Sequence, residues 1–222
     1  MADSEKSSAS KISLFLEKNF KIILGFILVI FAFIIVGVVA SSINKNAVQK
    51  GLSQIDSIDY AFRKDTQDMS AEDFTAHQEA ALQDLEVLCN KTGIVGVRAN
   101  MLKAEILFQK KDFEQSRSAW DKAASAKKSA YTAPICNYNA AICSENLGDL
   151  DSAVSYYLRS LDTDEFYLSD HAYFSLGRVY EAKKEYDNAI AAYEKIVEEH
   201  VTSPWASLAK SRIISLNADK AE

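Results

Sequence analysis

From Ile22 to Ile43 the chain carries no charged residue, and beyond it apolar residues recur every third or fourth position almost to the end. The first pattern is that of a helix apolar all round. The second is that of helices with one buried face. As a helix, the charge-free run would reach about 33 Å, enough to cross a hydrocarbon core of about 30 Å. A core helix of a soluble domain would show a polar stripe, and none is present. A cleaved signal sequence competes for the same residues, since Val38-Val39-Ala40 places small side chains before a possible cut. The run is, however, longer than the roughly 7–15 apolar residues of a signal sequence. The prediction is one uncleaved transmembrane helix over residues 22–43, preceded by a basic tail over residues 1–21.

The helical pattern continues past the apolar run. Val48, Leu52, Ile55, Ile58 and Phe62 form one stripe, expected to prolong the anchor as a stalk. Lys64–Ser70 reads as a polar turn. Ser70 and Asp73 offer an N-cap to a second helix with the stripe Phe74, Ala81, Leu85, Leu88, ending near Thr92-Gly93 as a glycine C-cap. Residues 44–93 are thus read as a stalk and a degenerate first hairpin. At the other end, Pro204 opens a capping helix with the stripe Trp205, Leu208, Ile213 and Leu216, within residues 202–222.

Between these ends the pattern repeats. In Ser169–His200, Tyr173, Leu176, Gly177 and Tyr180 mark one helical face, and Tyr186, Ala189, Ile190, Tyr193 and Ile196–Val197 mark the face of a second helix. The polar turns Lys111-Asp112-Phe113, Gly148-Asp149-Leu150 and Lys184-Glu185-Tyr186 recur at intervals of 37 and 36 residues. Small residues hold equivalent places in the first helix (Ala104, Ala141, Gly177) and in the second (Ser116, Ala153, Ala189). A large aromatic follows in each: Trp120, Tyr157, Tyr193. This stretch resembles the tetratricopeptide-repeat (TPR) family, whose helical hairpins repeat about every 34 residues. Three repeats are expected over residues 94–201. The small residue that follows the aromatic is Ala123 and Ser160 but Ile196 in the third copy, which predicts altered stacking there. The fold class is all-α: one N-terminal transmembrane helix, then a short α-solenoid closed by a capping helix.

Charge separates the two parts. Residues 1–44 hold Lys6, Lys11, Lys18 and Lys21 against Asp3, Glu5 and Glu17, so the part beyond carries an excess of acid within a total of −6. An acidic solenoid disfavours nucleic acid and anionic lipid as partners. Lysines are weighted to the N-terminal side of the apolar run, with only Lys45 and Lys50 close behind it. That predicts a single-pass membrane protein with its N-terminus in the cytoplasm and its repeats in the extracytoplasmic space. Chemistry is not in view: there is no phosphate-cradling glycine loop, no metal-ligand spacing and no nucleophile motif. His77, His171 and His200 are scattered. Cys89, Cys136 and Cys143 read as small apolar side chains, not ligands. No catalytic residue, cofactor or metal is expected.

What remains is a surface. In TPR proteins the first helices of successive hairpins line a concave groove, and ligands bind there. The resemblance places Arg98, Met101, Glu105 and Phe108 on that face in repeat one. Ile135, Tyr138, Ile142 and Glu145 follow in repeat two, and His171, Phe174, Arg178 and Glu181 in repeat three. Such a mixture suits other proteins or peptide segments bound with low sequence stringency. Tyr138 and Phe174 hold equivalent places and are expected to stand side by side as aromatic anchors. The alternative is that several of these residues pack against the stalk or the capping helix.

The order of parts also resembles the YfgM-like family of inner-membrane proteins, whose periplasmic TPR-like domains accompany the protein translocon and periplasmic chaperones. That likeness implies a membrane-anchored scaffold for secreted or envelope proteins, with the bilayer contacted through one helix. Two other readings stay open: an assembly subunit of a fixed envelope complex, and a TPR receptor that faces the cytoplasm.

Overall fold

A computed structural model describes residues 2–64, 66, 69–126, 131–163 and 166–219. Parts of the predicted Lys64–Ser70 turn and the last residues of the C-terminal tail lie outside them. Among the described residues there are nine helices and no strand: α1 Ala2–Arg63, α2 Ala71–Cys89, α3 Gly93–Gln109, α4 Phe113–Ala126, α5 Ala133–Asn146, α6 Leu150–Ser160, α7 Ser169–Ala182, α8 Tyr186–Glu199 and α9 Pro204–Asp219. The chain divides into two units, Met1–Lys50 and Gly51–Glu222.

The first unit is helical from Ala2, so the segment read as a tail joins the helix that carries the apolar run. That helix is long and apolar enough to cross a membrane. Every described side chain from residue 24 to residue 43 is exposed, Phe26 and Phe33 among them.

In the second unit the chain forms an α-solenoid. The end of α1 runs beside α3: Gly51 lies against Val95, Asp56 pairs with Arg98 at 3.0 Å, and Arg63 with Glu105 at 2.8 Å. Residue numbers rise together on both helices, so the two are parallel. The same holds farther on, where Glu145 of α5 meets Arg178 of α7, and His171 and Glu181 of α7 meet Trp205 and Arg212 of α9. The odd-numbered helices are therefore the first helices of successive hairpins, and α3, α5, α7 and α9 all start at one edge. The even-numbered helices return antiparallel between them.

The three predicted turns are built alike. Lys111, Gly148 and Lys184 each adopt a left-handed backbone, with φ of 59°, 72° and 61°. The next amide, of Asp112, Asp149 or Glu185, reaches back to the carbonyl of Leu107, Ser144 or Tyr180 at 2.8–3.0 Å and closes a Schellman cap. The carboxylates of Asp112 and Asp149 then accept from the amides of Gln115 and Ser152, capping the following helix. Glycine is the natural occupant of such a position, yet two of the three turns use lysine.

The small residues fall where the hairpins close. Ala104, Ala141, Gly177, Ser116, Ala153 and Ala189 are all buried. A Cβ on Gly177 would stand 2.5 Å from the ring of Tyr193, so the ring lies directly on the α7 backbone. Ser116 instead donates to the carbonyl of Ala104 at 2.8 Å. Ile196, the departure in repeat three, is fully buried beside Ala206 and Ala209 of α9. Two alanines in the next helix make room for the larger residue, so the last seam is repacked and intact.

Three local expectations shift. α2 ends at Cys89 with Asn90 as its cap, and Gly93 stands at the start of α3 with φ 69°, not as the α2 C-cap. Tyr186 is exposed, because the face of α8 that meets α7 begins at Ala189. On α9 the buried residues are Ala206, Ala209 and Leu216, while Leu208 points outward. Alanine lets α9 approach α8 closely, which rotates the stripe away from Leu208. The Ser70 cap holds, its hydroxyl accepting from the Asp73 amide at 3.1 Å. Cys136 and Cys143 are buried, and desolvation pushes the Cys136 thiol up to about 12.

Two stability outcomes follow. Ala189→Leu should overpack the α7–α8 seam and cost roughly 1–3 kcal/mol in denaturant unfolding of the solenoid. Lys184→Gly should act the other way. A left-handed non-glycine residue costs roughly 1–2 kcal/mol, less the extra chain entropy of glycine, so a gain of about 0.5–1 kcal/mol is expected. An unchanged unfolding midpoint for Lys184→Gly would mean that the turn is not strained.

Candidate functional site

The twelve residues read as a groove lie on the odd-numbered helices, at four equivalent places per repeat. Three seams divide them. At the α1–α3 seam, Arg98, Met101 and Glu105 line a small cavity of about 120 Å³ together with Ile55, Asp59, Arg63 and Leu102. Arg98 and Glu105 are tied there to Asp56 and Arg63. At the α7–α9 seam, His171 and Phe174 each stack on Trp205 with ring centroids 4.7 Å apart, and Glu181 pairs with Arg212. These residues pack against the stalk segment and the capping helix, as the alternative reading allowed.

The middle of the face is built differently. Tyr138 is half-buried, its ring 5.7 Å from Tyr157 and 6.0 Å from Phe166. Phe174 sits 5.3 Å from Tyr193 and also on Trp205. The two rings occupy equivalent places one repeat apart, each closing the seam between its own hairpin and the next. Neither protrudes as an isolated anchor. Outside the ion pairs to α1, the more open side chains are Arg178, 55% exposed, and the apolar Phe108, 36% exposed.

A polar ladder links the repeats along this face. Glu145 accepts from the Tyr157 hydroxyl of its own hairpin and from Arg178 of the next, at 2.6 Å from the guanidinium. Glu181 repeats the arrangement, accepting from Tyr193 at 2.6 Å and from Nε of Arg212 at 3.0 Å. Tyr157 and Tyr193 are fully buried at the ring, so each needs a partner for its hydroxyl, and the glutamate supplies it. Burial raises the pKa of both hydroxyls, and donation to the carboxylate raises it further. Partial burial pushes the Glu181 carboxyl up, but the hydrogen bonds from Arg212 and Tyr193 outweigh it and hold the group below its ordinary range. One repeat earlier, Phe108, Trp120 and Ile142 stand in the places of Glu145, Tyr157 and Arg178. The ladder is therefore polar toward the C-terminal end and apolar between α3 and α5.

Sequence reasoning marked Glu145, Arg178 and Glu181 as groove residues and Tyr157 and Tyr193 as core aromatics, without joining them. It missed Arg212. The available signal was the recurrence of arginine at one repeat's distance from Arg178, obscured because α9 lacks a second helix to complete the pattern.

The solenoid is a row of helical hairpins with one face graded from apolar to polar, and the comparisons agree with that architecture. The tetratricopeptide repeat family pattern matches residues 138–204. A TPR repeat-containing protein of Treponema pallidum (strain Nichols) is 29% identical over 145 residues, which cover 64% of this chain and 61% of that protein. The chain thus matches less than two thirds of that relative's length. The crystal structure of MamA protein superposes with a TM-score of 0.55 at 16% identity, covering 76% of this chain and 83% of that one, a likeness of fold alone. Together these support a tetratricopeptide-repeat fold.

The ladder gives a pH prediction. The Glu181 carboxyl is depressed in the folded chain, so its stabilisation is present above the unfolded value of about 4.3 and is lost as pH falls through the folded value. Acid unfolding of the parent should steepen in that window. Glu181→Gln should unfold more easily at neutral pH and show a flatter dependence below pH ~5, read by helical signal against denaturant at several pH values. An equally steep acid limb in both proteins would place the titrating group elsewhere.

Proposed function

We propose that the chain is a single-pass membrane-anchored TPR scaffold that holds other proteins or peptide segments outside the cytoplasm, in the service of secreted or envelope proteins near the translocon. The parts are 1–21 cytoplasmic, 22–43 spanning, 44–93 stalk and first hairpin, 94–201 repeats, and 202–222 cap and tail. The observation that carries this reading is the grading of the concave face. Where α5 meets α7 and α7 meets α9, the glutamates are already engaged by arginine and tyrosine. Between α3 and α5 the same places hold Phe108 and Ile142, with Met101 one turn from Glu105, and no ion pair bridges that seam among the contacts described. An apolar section followed by a half-exposed arginine suits a peptide that buries one or two large side chains and offers a carbonyl or carboxylate to Arg178.

The anchor supports the location. A helix with exposed apolar side chains all round suits lipid far better than water, and lysines precede it.

Two measurements test the reading. A reporter that works only outside the cytoplasm, fused after Glu222, should be active in cells, and activity only of a cytoplasmic reporter would favour the cytoplasm-facing receptor. Separately, Phe108→Ala combined with Arg178→Ala in the full chain should keep the helical signal yet lose crosslinked partners. Loss of one aromatic anchor costs about 2 kcal/mol, roughly thirtyfold in affinity. Undiminished crosslinking by the folded double variant would move the binding surface off this face.

A further inference from the structure

Three of the four loops that lead from an even-numbered helix into the next odd-numbered one carry an unexpected pattern; the α2–α3 loop, Asn90-Lys91-Thr92, does not. Loop tips ordinarily expose Gly, Asn, Asp or Ser. Here Tyr131, Tyr167 and Val201 stand two or three residues before α5, α7 and α9, and they are 87%, 77% and 70% exposed. They recur at intervals of 36 and 34 residues, the period of the repeats. Tyr167 is held outward by its neighbour Phe166, which is buried in the core with its ring centroid 5.9 Å from the tyrosine ring. Because the odd-numbered helices are parallel, all three side chains lie along one edge of the solenoid. α1 enters at that same edge, where Gly51 lies against Val95 near the start of α3.

We propose that this edge rests in the interfacial zone of a lipid bilayer, with Tyr131, Tyr167 and Val201 seated at headgroup level. The inference rests on reading residues 22–43 as a membrane span. Given that span, its last residue, Ile43, is eight residues from Gly51, and eight residues reach at most about 28 Å even when fully extended. The start of α3 is therefore within that reach of the bilayer. The side chains also fit that environment better than a shaped protein pocket. They are separate points spaced by a repeat, with neighbouring helices about 8–10 Å apart, which suits a continuous medium. Tyrosine, with an apolar ring and a hydroxyl that stays wet, is enriched at membrane interfaces. Asp162, Glu198 and Glu199 are exposed beside these loops and Lys50 and Lys91 are exposed at the α1–α3 end of the same edge, so the charges are mixed and anionic headgroups add little net attraction. The contact is made by ring burial and is insensitive to salt.

The test uses the full chain in phosphatidylcholine vesicles, with and without brominated acyl chains. Tyr131→Trp and Tyr167→Trp report on the edge. Tyr186→Trp, at the start of α8 on the opposite edge, is the control. Circular dichroism checks that each variant keeps the parent's helix content, and the emission of the parent, from Trp120 and Trp205, is subtracted. Brominated lipid should quench the emission added at 131 and 167 and leave that at 186 unchanged, equally at low and high salt. Chain that resists carbonate extraction but shows no quenching at 131 and 167 overturns the inference and leaves the anchor standing. Shielding of both positions from aqueous iodide without quenching by brominated lipid also overturns it, pointing to a protein contact. Extraction of the parent chain by carbonate removes the anchor reading and this inference together.

Discussion

The seam between one hairpin and the next is the constraint on which the rest of this solenoid depends. No single hairpin here can bury both of its faces, and each large aromatic of a second helix is covered only when the following first helix arrives. Tyr193 shows the logic at its tightest. Its ring presses on Gly177, stacks with Phe174, and places its hydroxyl on Glu181, whose other oxygen is held by Arg212 of α9. One buried phenol on α8 thus requires a glycine and a carboxylate from α7 and a guanidinium from α9. Tyr157 makes the corresponding set with Glu145 and Arg178.

This arrangement connects packing to the interaction surface. A buried tyrosine hydroxyl without a partner would carry a desolvation penalty of roughly 1–3 kcal/mol, so the glutamates are bound first to the fold. They are not free to clamp a ligand. One repeat earlier the apolar substitutes, Phe108 and Trp120 of repeat one and Ile142 of repeat two, need no such partners. Along this face the polar end is occupied by structure, while the apolar end carries the partly exposed Phe108, which is why the proposed anchor site moves toward α3 and α5.

The second-helix side is tied across repeats as well. Arg117 reaches Asp149 at 2.6 Å, and Arg159 reaches both Asp121 and Asn137 at 2.7 Å, with its guanidinium 4.5 Å from the Tyr156 ring. Each pair joins neighbouring hairpins only. A perturbation at one seam is accordingly expected to pass along the solenoid through adjacent units, and not across it.

Repeat period, turn positions and the small and aromatic residues of the hairpins were all legible in the chain, because each is a local pattern at fixed helical spacing. The helix long and apolar enough to cross a membrane was legible for the same reason, as a run of uncharged apolar residues over 22–43 with no polar face. What a linear pattern does not contain is the rotation of one helix against another. Leu208 and Tyr186 fit their stripes by spacing yet face solvent, because alanines at 206, 209 and 189 set how closely the helices approach and hence which side is covered. The same holds for the groove: His171, Phe174 and Glu181 lie on the face that the sequence assigned, but α9 packs onto it. Which residues share a face follows from helical periodicity; which of those faces stays open depends on contacts between helices more than thirty residues apart, and those only the packed structure decides.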